Sequence, residues 1–183
     1  MDTLMNKSII WAMLALAATT GKANAVDNGT SYVDESKLFL EIKDVNRQAE
    51  SWAMCAATYD FMAAVLSEAQ PARSRQLKDI ANGAEMAVIM SMVSDGLDSE
   101  MTQERFYSLW TMAKLAGSEL PRTRRTMLAA DAESSSDKKG AKVFFANLSA
   151  TMSVCVKNLE AQQMYIDTWR ELAKSGLLKL PSE

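Results

Sequence analysis

Few residues in this chain are equipped for chemistry. Histidine is absent, and there are two cysteines, Cys55 and Cys155. Without histidine there is no Ser-His-Asp or Cys-His relay, no HExxH zinc site and no histidine-ligated haem. Carboxylates are plentiful, so a hydrolase built on two facing Asp or Glu side chains stays open as an alternative.

Methionine offers the next sulfur. Met86, Met90 and Met92 lie in one apolar stretch. Thioethers bind Cu(I), which makes a copper carrier a second alternative. Residues 86 and 90 share a helix face and 92 does not, so core filling is the plainer reading. Asp95, Asp98 and Glu100 flank Gly96. They fall short of the roughly six to eight oxygens of a calcium site and of EF-hand spacing, and read as helix capping. Ser135-x-x-Lys138 and Ser136-x-x-Lys139 match an SxxK pattern, but the SDN and KTG companions are missing, leaving a solvated loop. Arg122, Arg124 and Arg125 form a cationic cluster that could join Lys138, Lys139 and Lys142 to hold an anion or an acidic partner.

The elements that position these residues begin after an address label. Lys7, the apolar run Ile9 to Ala18 and Ala23-Asn24-Ala25 have the order of a secretory signal peptide, residues 1–25. The uncharged run from Ser8 to Gly21 spans roughly 21 Å as a helix, short of the ~30 Å hydrocarbon core. The expectation is a periplasmic or secreted protein with no membrane span after cleavage. Removing Lys7, Lys22 and Asp2 leaves residues 26–183 one unit more acidic than the whole chain's −3. An acidic domain has no built-in attraction for nucleic acid. Asn28 and Asn147 head glycosylation sequons, which matter only in a eukaryotic host.

The remainder reads as one all-α domain, an antiparallel four-helix bundle. Asp34 looks like the first N-cap. The seam Leu38, Ile42, Val45, Ala49, Trp52, Ala56, Tyr59, Ala63 and Leu66 keeps 4-3 spacing up to Pro71. Pro71 opens the second helix and Gly96 ends it. Asp98 caps a third through Phe106, Leu109, Trp110, Ala113 and Ala116. Pro121 begins an extra short helix over 121–132 or a continuation. After the polar loop 133–140, with Asp137 as cap, one last helix runs from about 141 to 175. Its seam is Phe145, Leu148, Met152, Cys155, Leu159, Gln162, Ile166, Trp169 and Ala173, and Gly176 stops it.

In that arrangement Cys55 and Cys155 stand at matching heights on the first and last helices, roughly 32 and 30 Å from the same end of the bundle. An exported chain with two cysteines pairs them, which predicts a Cys55–Cys155 disulfide. Met54, Phe61 and Val65 make a second apolar stripe on the first helix. Phe144, Val154, Tyr165 and Leu172 do the same on the last. Such stripes are buried on two sides or meet a partner. No cofactor is implied. The reading for function is binding of a protein partner without catalysis, with a carrier of an apolar small molecule between helices as a further alternative.

Overall fold

The computed structural model describes residues 33, 38–98, 100–176 and 178; the expected signal peptide and the Asp34 cap lie outside them. The described backbone holds one 3-10 turn, Phe39–Glu41, and five α-helices. These are α1 (Val45–Leu66), α2 (Pro71–Gly96), α3 (Gln103–Ser134), α4 (Lys138–Lys157) and α5 (Leu159–Lys174). The fold is an all-α bundle.

The first helix starts later than its apolar seam implies. Asp44 is the cap: its side chain accepts the backbone N–H groups of Asn46 and Arg47 at 2.9 and 3.2 Å. Two of the orphan donors of the first turn are thereby satisfied, so α1 begins at Val45. Leu38 and Ile42 fit the seam spacing but stand outside the helix, flanking the 3-10 turn.

Pro71 opens α2 as its fixed φ and missing N–H favour. The third helix is capped by Thr102, whose hydroxyl accepts from the Arg105 N–H, and not by Asp98. Asp98 instead accepts from the Glu100 N–H and pairs with Arg105. There is no separate helix at 121–132, because α3 runs unbroken through Pro121. Proline removes the N–H that would bond to the carbonyl four residues back and its ring crowds that carbonyl. The residue there is Gly117.

The expected single last helix is two. Asn158 interrupts it, serving as the C-cap of α4 and the N-cap of α5. Asp137 caps α4 through the Gly140 N–H, and Gly176, at φ +79°, takes the left-handed conformation that ends α5.

The pairings set the topology. Ser74, in the first turn of α2, donates to the Ala63 carbonyl near the end of α1, closing an antiparallel hairpin. Gly96 faces Leu109 and Gly117 faces Ile89, so α3 runs back along α2. Phe61 meets Phe144 while Cys55 bonds Cys155, so α4 is antiparallel to α1. Beyond the break, α5 packs on α2, where Gln162 donates to the Ile80 carbonyl at 3.2 Å. The result is an up-down-up-down bundle whose fourth rod changes neighbour partway.

The core lies along α1, which touches α2, α3 and α4. Ala49, Ala53, Ala56 and Ala63 face Ala81, Ala84 and Ala87 of α2 in one cluster. Small side chains let the two backbones come close. Trp52, Tyr59 and Phe39 fill the space beside them. Each such aromatic contributes about 1.5–3 kcal/mol by leaving water.

The disulfide joins Cys55 and Cys155 with a Cα separation of 5.6 Å. It forms as the sequence predicts, although two premises of the height argument do not hold, since α1 starts at Val45 and the last helix breaks three residues after Cys155. What carries the bond is the antiparallel contact of α1 with α4.

Candidate functional site

The second stripe of the first helix is taken up by internal packing. Met54 is 2% exposed and sits with Ala57, Leu128, Phe144 and Leu148 in a cluster between α1, α3 and α4. Phe61 and Val65 are half-buried, and the Phe61 ring meets Phe144 edge to face at 5.5 Å. On the last rod Phe144 and Val154 are buried, Tyr165 and Leu172 half-buried. A helix flanked by neighbours on several sides needs more than one apolar stripe.

The three arginines do not act as one patch. Arg122 pairs with Glu119 on its own helix. Arg124 reaches Glu50 of α1 at 3.2 Å. Arg125 stands between Asp60 of α1 and Glu85 of α2, at 2.9 Å from Glu85, tying three helices together. Burial lowers the Arg125 pKa, but its hydrogen bonds and attraction to Glu85 and Asp60 outweigh that and hold it above the ordinary arginine value. Arg122 is about 18 Å along α3 from the end of that helix, which keeps it away from Lys138 and Lys139 beyond the loop.

The methionine set lies within the single helix α2. Met90 is fully buried, and Met86 and Met92 are half-buried in α2. Among the described residues no group of three or more Cys, Asp or Glu side chains is arranged to hold a metal ion. Ser135 and Ser136 fall in the turn between α3 and α4, and Asn147 lies within α4.

Two features escape the sequence pattern. One is the outer side of α3. Its buried positions are Phe106, Ala113, Gly117, Pro121 and Leu128. Away from that stripe, Met112 and Leu115 are 60% and 64% exposed. Exposed Ser108, Thr111 and Ser118 border them, and Lys114 is the one charge from residue 106 to 118. The pair lies one helical turn apart, as on a face that meets another helix.

The other is a buried grip on Phe39. Its N–H donates to Asn158 Oδ1 at 2.9 Å, and its carbonyl accepts from Gln48 Nε2 at 2.7 Å. Its ring packs edge to face on Trp52 at 4.7 Å. Tyr165 Oη donates to Gln48 Oε1 at 3.1 Å, and Asn158 Nδ2 donates to the Val154 carbonyl at 2.9 Å. Burial raises the Tyr165 pKa above the ordinary phenol value, which keeps it a donor.

No helix among the described residues is long and apolar enough to cross a membrane. Comparison of the chain with protein-family models, curated proteins and solved structures finds no match.

Proposed function

We propose that this chain is an exported, disulfide-braced helical protein that binds a protein partner and does no chemistry of its own. The observation that carries the reading is the Met112–Leu115 pair, two large apolar side chains held in solvent on the outer side of α3. Apolar side chains so placed gain free energy when a partner covers them, and the low charge around them removes the cost of desolvating ions. The opposite side of this stretch packs against α2, where Gly96 and Ile89 receive Leu109 and Gly117, so the face is presented on a fixed support.

Export is supported by the signal-like order of residues 1–25 and agrees with an oxidised cysteine pair. Against a carboxylate hydrolase stands the arrangement of Asp60 and Glu85, which converge on Arg125. Both carboxylates are engaged by one guanidinium that ties three helices together, which is a bracing arrangement and not two acids facing each other across a cleft.

A photo-crosslinking side chain placed at position 112 or 115, in protein exposed to the exported fraction of its host, tests the reading. One discrete adduct at both positions, absent at exposed Lys139, is expected. No adduct, or the same adducts at Lys139, would overturn it.

A further inference from the structure

We propose that the socket around Phe39 is a peptide-binding site occupied in cis, one that takes an aromatic residue on a short extended or single-turn segment. The site reads a single residue in three ways. Asn158 receives the N–H, Gln48 supplies a donor to the carbonyl, and Trp52 receives the ring. The gripping groups come from positions 119 and nine residues away in sequence. Each is itself fixed: Asn158 by Val154, Gln48 by Tyr165, and Trp52 by the Tyr165 ring at 6.1 Å.

The neighbours of Phe39 take no part. Leu38 and Leu40 are about half exposed while Phe39 is fully buried. A segment folded in for its hydrophobicity alone would bury its leucines. One aromatic anchor with its main-chain bonds made is instead how proteins recognise short peptide motifs. The ring that receives Phe39 also carries an unused donor, since Trp52 Nε1 is buried with no hydrogen-bond partner. The site is separate from the outer face of α3 and does not depend on what binds there. Because the chain's own segment is tethered, its effective concentration is in the millimolar range, and a free peptide binds well only when Phe39 is removed.

The test uses Phe39→Ala in the full oxidised chain, with acetyl-Leu-Phe-Leu-Glu-amide, the sequence of residues 38–41, as probe. Binding is followed by tryptophan fluorescence and calorimetry. Saturable binding at least tenfold tighter than to the wild-type chain is expected. It should vanish when the peptide's phenylalanine is replaced by alanine, and weaken at least tenfold when Asn158→Ala is added to the protein. If Phe39→Ala does not keep its helical spectrum, Phe39→Leu takes its place with the same expectation. A folded variant that does not bind the peptide, that binds it no better than wild type, or that is indifferent to Asn158→Ala overturns the proposal.

Discussion

Asn158 accepts the backbone N–H of Phe39 across 119 residues of sequence, at the point where the fourth rod of the bundle breaks. One buried residue therefore stands between α4 and α5, and its side chain holds the Val154 carbonyl at the end of α4 and fastens the segment that leads into α1. The break lets α4 lie on α1 while α5 packs on α2.

Asn158→Ala leaves the Phe39 N–H buried without a partner. Such an orphan costs about 1–3 kcal/mol. Urea unfolding should show a loss in that range, with faster amide exchange at Phe39 than in the middle of α1. Unchanged stability would mean that the grip contributes nothing.

Cys55 and Cys155 close a loop with a sequence separation of 100. The chain-entropy model gives about 4.7 kcal/mol for a loop of that size, an upper value for most proteins. Denatured, unreduced protein should show no free thiol, and Cys55→Ala with Cys155→Ala should lower the denaturation midpoint sharply. Two titratable thiols, or an unmoved midpoint, would contradict the pairing.

Parts of this arrangement are legible in the sequence for definite reasons. Pro71, Asp137 and Gly176 act locally, through a missing N–H, a capping carboxylate and a positive φ, and the chain reads correctly at each. Asn158 escapes detection because the 3-4 spacing of Cys155, Leu159 and Gln162 continues across it. Its bond to Phe39 leaves no periodic trace. The start of α1 is misread because Leu38 and Ile42 happen to fit the seam, while the Asp44 cap is decided by two local hydrogen bonds. Met112 and Leu115 alternate with the seam residues Leu109, Trp110, Ala113 and Ala116, and spacing alone assigns them no role. Only the position of α3 at the outside of the bundle leaves them in solvent. Met54 is the reverse case, an off-seam residue that the cluster with Leu128 and Phe144 covers.

Tyr59 gives a pH test. Burial pushes its pKa up to about 12, and its hydroxyl has no hydrogen-bond partner. The unfolded chain loses this proton near pH 10 and the folded chain keeps it, so stability declines as pH rises through that interval. The fall attributable to Tyr59 is about 1.4 kcal/mol by pH 11, and Tyr165, also raised by burial, acts in the same direction. Tyr59→Phe should be about 1 kcal/mol more stable at pH 7, because an unpaired buried hydroxyl is removed, and should lose less at pH 11. Denaturant titrations at the two pH values check both; an equal fall in both proteins would contradict the assignment.

Gly117 is required by the close approach of α3 to α2. A Cβ there would overlap Ile89 Cγ1. Alanine favours a helix by about 1 kcal/mol over glycine. The overlap must nonetheless be relieved by moving Ile89 or the helix, at about 1–3 kcal/mol. Gly117→Ala should therefore be no more stable than wild type by thermal unfolding, and Ile89→Ala should restore part of any loss. A clear rise in melting temperature for Gly117→Ala alone would show that the helices separate freely.

The most direct test of the central claim is the affinity of the protein crosslinked at position 112 for wild type and for Met112→Glu with Leu115→Glu. Each replaced side chain removes about 1.5–3 kcal/mol of apolar burial from the contact. The double variant should bind at least 100-fold more weakly while keeping its melting temperature, since both positions face solvent in the free chain. Equal affinity of the two proteins, with the variant folded, would contradict the claim that this face of α3 is where the chain does its work.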